Sequence, residues 1–242
     1  MASLSRPLNI RVDAKTFPAV ADRPAQAVLR GIEITVEPGS FVVITGPSGC
    51  GKSTLLNVVA GLDADYQGAV DFGGGDPKLS FMFQTPRLLP WRTVAENIAL
   101  VLPEASADDP RVTDIIARVD LTEAASAFPE RISLGMQRRA ALARAFVVEP
   151  DILLMDEPFV SLDDPTAESL RGLLRELYAR RPTTVLFVTH DRTEAAQLGT
   201  RLVRVGGRPA GIVQDEPIRL STAERGNRDR VLAERARLFA EA

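Results

Sequence analysis

Short apolar runs recur along the chain at FVVIT (41–45), LSFMF (79–83), ILLM (152–155), TVLFVT (184–189) and RLVRV (201–205), and each reads as a strand. Helical patterns separate them, and this alternation predicts an α/β fold with a mainly parallel sheet. Strand signals fade between Pro86 and about residue 146, where TVAENIALVL, DPRVTDIIARV and LGMQRRAALARAF read as successive helices. The pattern therefore predicts a helical subdomain inserted at about 86–146 of the α/β core. DDPTAESLRGLLRELYARRP predicts a further helix, capped by Asp163 or Asp164, with Pro165 in its first turn and Leu170, Leu173, Leu174 and Leu177 on one face. In the tail, 221–242, Val231, Leu232, Leu238 and Phe239 fall at helical spacing. That segment reads either as a terminal helix docked on its own domain or as a partner-binding tail.

The chemistry concentrates at the ends of these runs. Between FVVIT and the helix that follows, Gly46, Pro47, Ser48, Gly49, Cys50, Gly51, Lys52, Ser53 and Thr54 form G-x-x-x-x-G-K-S-T, the pattern of a phosphate-binding loop in its confirming strand–loop–helix context. Glycines let backbone N–H groups converge on phosphate oxygens, and the helix N-terminus adds partial positive charge. Lys52 suits the β- and γ-phosphates, and the Ser53 hydroxyl suits Mg²⁺. The chain uses 26 arginines but only three lysines, Lys15, Lys52 and Lys78. A lysine inside this motif therefore points to a need for a compact ammonium. Cys50 reads as a small filler or as a redox group.

ILLMDEP ends a buried strand with two carboxylates that point opposite ways. Asp156 suits the Mg²⁺ shell and Glu157 suits polarising an attacking water. His190, the sole histidine, follows VLFVT at a strand's C-terminal end, where open parallel sheets place ligand sites. Gln84 ends LSFMF in the same way, and its neutral amide could contact both metal and water.

Composition narrows the classes. At 242 residues, 45% hydrophobic and 25% charged, the chain is long enough for a full core and has ordinary globular composition. A net charge of -3 gives no basic stripe, which argues against nucleic acid as the main partner. MASLSRPLNIRVDAK lacks the apolar core of a signal peptide, no run approaches the ~18 apolar residues of a membrane span, and a single cysteine suits a reducing compartment. The expected location is the cytoplasm.

Taken in order, these motifs resemble those of the nucleotide-binding subunit of ABC transporters over about residues 8–220. The Walker A loop GPSGCGKST (46–54) is followed by the Q-loop Gln84 and the signature ISLGM (132–136). Walker B ILLMDEP, the D-loop SLD (161–163) and the H-loop His190 complete the series. FQTPRLLPWRTVAENI looks most like ATPases of nitrate, sulfonate and taurine importers. The resemblance implies a P-loop NTPase core with an N-terminal antiparallel β region, an ABC nucleotide-binding domain over 1–220 and a C-terminal helical tail over 221–242. It also implies ATP and Mg²⁺ as cofactors, a homodimer in the ATP-bound state, transmembrane permease subunits and, through them, a periplasmic or extracellular solute-binding protein. The location it implies is peripheral, on the inner face of the cell membrane. Glu157 is implied as the water-activating base, His190 as a γ-phosphate contact, and Gln84 as a sensor of metal and water. Mg²⁺ falls to Ser53, Gln84 and Asp156. Ser133 and Gly135 would cap the γ-phosphate held by the other subunit, with Asp163 coupling the two sites. Two other classes fit the same motifs: a soluble ATPase of this family acting on nucleic acid or ribosomes, and a non-hydrolysing regulatory subunit.

Three features leave alternatives. Leu134 and Met136 replace the glycine and glutamine of the usual LSGGQ. A Cβ at 134 is harmless where φ is negative and the side chain points away from phosphate, and costly otherwise. Phe17 is the nearest aromatic upstream of Walker A, and it reads equally as an adenine platform or as core packing. Trp91, the sole tryptophan, follows Leu88, Leu89 and Pro90 where the family docks its permease, and it reads as interface anchor or as core.

Overall fold

The computed structural model describes residues 6–21, 24–104 and 106–240. The chain forms two compact units, one of residues 1–77 with 183–242 and the other Lys78–Pro182. Among the described residues, no helix is long and apolar enough to cross a membrane.

Among the described residues, seven strands belong to the first unit: β1 (Leu8–Phe17), β2 (Gln26–Val36), β3 (Phe41–Thr45), β4 (Gln67–Asp71), β7 (Thr184–Val188), β8 (Arg201–Gly207) and β9 (Ala210–Pro217). Their order is β4-β1-β2-β9-β8-β3-β7. β3 pairs in parallel with both β7 and β8. β3 and β7 are buried at every residue, as expected for parallel strands covered on both faces. The N-terminal pairs β1–β2 and β1–β4 are antiparallel, matching the expected β region. In β1 the alternation buries Leu8, Ile10 and Val12 and then slips by one residue, where the β1–β4 register shifts between Val12 and Ala14. The slip turns Lys15 inward. It is 2% exposed, and its Nζ donates to Asp63 Oδ1 at 2.7 Å and to the Asp65 carbonyl at 2.6 Å.

Two helices of this unit frame the chemistry. Helix α1 (Lys52–Val59) follows β3, and helix α6 (Arg192–Leu198) follows β7. A last helix, α7 (Arg228–Leu238), buries Val231, Glu234 and Leu238. The tail is thus a helix docked on its own unit, although Leu232 remains 37% exposed and does not join the packed face.

The second unit holds a parallel pair, β5 (Leu79–Met82) and β6 (Ile152–Asp156). Its helices are α2 (Val94–Ala99), α3 (Pro110–Arg118), α4 (Leu134–Phe146) and α5 (Asp164–Arg180). Each begins where its sequence signals it. Thr93 and Glu96 close a capping box on α2, with Thr93 N–H donating to Glu96 Oε2 at 2.8 Å and Glu96 N–H to Thr93 Oγ1 at 3.2 Å. Asp163, rather than Asp164, caps α5, accepting from the Thr166 N–H at 3.0 Å, and Leu170, Leu174 and Leu177 are buried while Leu173 is only half-buried.

Asn97, fully buried on α2, holds the loop before that helix. Its Nδ2 donates to the carbonyls of Leu89, Arg92 and Thr93 at 3.1, 3.0 and 2.9 Å, and its Oδ1 accepts from the Leu89 N–H at 2.7 Å. Asn97→Ala strands several of these groups at once, so a loss of about 2–3 kcal/mol is expected in chemical denaturation.

Candidate functional site

In the first unit the phosphate-loop residues run from the end of β3 into the first turn of α1. Gly51 caps α1 with φ of 109°, a conformation that side chains resist, and a Cβ there would meet Val28 Cγ1 at 2.6 Å. The Cys50 N–H donates to the Pro47 carbonyl at 3.3 Å, closing the turn. Lys52 is 5% exposed, and its Nζ donates to the carbonyl oxygens of Gly46 and Pro47, each at 3.0 Å. The loop is therefore wrapped around its own ammonium. Pro47, Ser48, Gly49 and Ser53 are exposed, while Gly46 and Thr54 are half-buried. Cys50 is buried, which favours the filler reading.

Phe17 ends β1 with 42% of its surface exposed, so it does not pack in the core. Its ring centroid lies 4.7 Å from Lys15 Nζ. His190 is exposed between β7 and α6. Both of its neighbours are fixed: the Asp191 carboxylate accepts from the N–H groups of Thr193 (2.6 Å) and Glu194 (3.0 Å), and the Thr189 hydroxyl donates to Glu194 Oε2 at 2.6 Å.

In the second unit, β6 is buried until Asp156, where it becomes half-buried. Glu157 follows with φ of 44° and immediately precedes Pro158. A non-glycine residue in the left-handed region, at a position that a following proline further restricts, stores strain of the kind found at functional sites. Gln84 is exposed just beyond β5.

Ser133 caps α4, accepting from the Met136 N–H at 3.2 Å. Leu134 is the first residue of α4, with helical backbone, and its side chain is 40% exposed. The backbone condition for a harmless Cβ at 134 is thus met. At Gly135 a Cβ would meet Thr166 Cγ2 at 2.8 Å, so the absence of a side chain there admits α5. Thr166 also binds Asp163, through its N–H and, at 2.8 Å, its hydroxyl. These bonds, the N–H first, hold the Asp163 carboxyl below the usual carboxylate range. The structure therefore brings Gly135 and Asp163 to the same threonine.

Arg138 on α4 escaped the sequence reading. It is 3% exposed, and it donates through Nη1 to the Gln84 carbonyl and through Nη2 to that of Val160 at 3.3 Å. Burial pushes its guanidinium pKa down. One buried cation thus fixes both the Gln84 loop and the segment after Glu157. The only sequence signal was an arginine inside an alanine-rich helix, which reads as an ordinary exposed charge.

Trp91 is 69% exposed, which removes the core reading. In the same unit, Phe81, Phe83, Arg87, Leu89, Leu100 and Arg144 help line a groove of ≈ 910 Å³. Phe81 and Phe83 stack at 4.1 Å, and the Arg87 guanidinium lies 3.6 Å from the Phe83 centroid. Arg144 donates to the carbonyls of Pro86 and Arg87 at 2.6 and 2.9 Å.

A buried lysine in a glycine loop between a parallel strand and a helix, together with a carboxylate pair ending another parallel strand, defines a P-loop nucleotide-hydrolysing protein. The chain belongs to the ABC transporter family, whose sequence model matches residues 29–160. It is 43% identical over 226 residues to the aliphatic sulfonates import ATP-binding protein SsuB 1 of Pseudomonas savastanoi pv. phaseolicola, covering 93% of this chain and 91% of that one. With SsuB of Bacillus subtilis it shares 39% identity over 223 residues, 88% and 86% of the two chains. Among solved structures, a dimeric post-hydrolysis state of the ATP-binding cassette MJ0796 bound to ADP and Pi aligns with a TM-score of 0.75 at 29% identity, covering 88% of this chain and all of that one.

Proposed function

We propose that this protein is the ATP-binding and hydrolysing subunit of an ABC importer for small anionic solutes, with aliphatic sulfonates the favoured class. The observation that carries the reading is the 43% identity with a sulfonate-import subunit over 93% of the chain, in a chain that itself carries a phosphate loop and a carboxylate pair.

The residues take the following roles. Backbone N–H groups of 46–54, Pro47 apart, and the Lys52 ammonium bind the ATP phosphates, with Lys52 exchanging carbonyl partners for phosphate oxygens. Phe17, exposed rather than packed, offers its face to adenine. Ser53, Gln84 and Asp156 supply hydroxyl, amide and carboxylate oxygens, hard donors that fit Mg²⁺, which would neutralise phosphate charge. Glu157 accepts a proton from the attacking water, and His190 donates a hydrogen bond to the γ-phosphate. Ser133 and Gly135 offer a hydroxyl and a helix N-terminus to the ATP of a second copy. Closure of that homodimer follows because ATP makes contacts only in the closed state, and loss of the γ-phosphate reopens it.

Work passes to permease subunits at the inner face of the membrane, and a solute-binding protein on the far side delivers the solute. The aromatic groove and exposed Trp91 support docking of a permease segment in the second unit. Trp91→Ala is expected to leave folding and basal ATP turnover intact while weakening permease capture about tenfold or more. The check is co-purification with the permease of a sulfonate importer. In proteoliposomes, ATP turnover stimulated by a sulfonate-loaded binding protein, but not by a nitrate-loaded one, supports the solute class.

A further inference from the structure

We propose that the C-terminal helix α7 is a positioning element for His190, acting through the first turn of α6. The inference rests on the role given to His190 above and extends it to residues outside every nucleotide motif. His190 has a constrained neighbour on each side. The Asp191 side chain caps α6, and the Asp191 N–H donates to the Thr189 hydroxyl at 3.0 Å. The Thr189 hydroxyl in turn reaches buried Glu194 on α6. The loop carrying His190 therefore follows the first turn of α6, and any displacement of that turn moves the imidazole.

The same turn is gripped from its other side by the tail. Arg235 Nη1 on α7 donates to the Thr193 hydroxyl at 3.1 Å, on the residue whose N–H Asp191 holds. The Arg192 guanidinium lies 5.2 Å from the Phe239 ring centroid. Arg225, just before α7, donates to the Gln197 carbonyl at 3.1 Å at the far end of α6.

The tail is itself anchored to β9 and the segment that follows it. Glu234, 7% exposed, accepts from the Arg219 N–H at 2.6 Å and from Arg237 at 2.7 and 2.9 Å. Arg237 also pairs with Glu216, and Gln214 Nε2 donates to the Leu238 carbonyl at 2.9 Å. A solvated tail would need none of these bonds. The arrangement instead ties α6 to β9, an inner strand of the sheet, through α7, so the imidazole keeps its place between turnovers.

The test uses the full chain. Arg235→Ala combined with Phe239→Ala is expected to lower kcat for ATP about fivefold, leaving KM and fluorescent-nucleotide affinity unchanged. Arg235→Lys, which keeps a donor for Thr193, should recover most of the rate. In a His190→Ala background the double change should cost nothing further, because the group it positions is gone. Arg235 is exposed, so Arg235→Ala alone, with a smaller loss in the same direction, serves if Phe239→Ala impairs folding. An unchanged kcat, or an equal fall in the His190→Ala background, would overturn the proposal. If His190→Ala itself leaves kcat unaltered, the role of His190 fails and the inference fails with it. A slow His190→Ala beside unimpaired tail variants sinks the inference alone.

Discussion

Glu157→Gln is expected to lower steady-state ATP turnover by about 10³-fold, the range a positioned general base supplies. The change is nearly isosteric and keeps an oxygen to orient water, but it removes the proton acceptor. Nucleotide binding should persist, since the phosphate loop is untouched. The residue sits with φ of 44° directly before Pro158, so its backbone is committed to one conformation before any water arrives. Glu157→Gly would relieve that strain and raise stability while removing the base, whereas Glu157→Gln keeps the strain. A malachite-green phosphate assay and thermal denaturation, on the two variants beside the parent, separate catalysis from folding: both should lose nearly all turnover, and only the glycine variant should melt higher.

Lys52→Ala carries the second large effect. The ammonium is almost fully buried and makes two bonds to loop carbonyls, so it has both a structural and a ligand-binding duty. Losing charged hydrogen bonds to phosphate should weaken ATP binding on the order of 10²–10⁴-fold. Lys52→Arg should restore little, because the wider guanidinium does not fit a loop closed around a point charge. Titration with a fluorescent ATP analogue reads both variants, with circular dichroism as the folding control.

Where the reading depended on local pattern, the sequence was a reliable guide. FVVIT and TVLFVT form strands because strands buried on both faces must be mainly apolar; the first run matches β3 residue for residue, while β7 stops at Val188, one residue short of the second. The start of α4 at Leu134 follows from Ser133 as a cap, and the start of α5 follows from Asp163. Long-range contacts left no such trace. Arg138 reaches a carbonyl 54 residues away, and Lys15 reaches an aspartate 48 residues away after a bulge turns it inward. Periodicity cannot show either, because each depends on which loop arrives beside the side chain. Asn97 drew no reading within TVAENIALVL, yet it is the buried tie of the Trp91 loop. Leu232 fits the apolar spacing of the tail but faces outward, because α7 packs along Val231, Glu234 and Leu238 with a satisfied glutamate in place of a leucine.

The central claim, a motor that closes around ATP through Ser133 and Gly135 with leucine at 134, is tested most directly by light scattering on size-exclusion fractions of Glu157→Gln. The account predicts a mass near twice 26.2 kDa with ATP and a monomer with ADP, with no change at Leu134 needed. A monomer with ATP that becomes a dimer only when Leu134→Gly is added would contradict it.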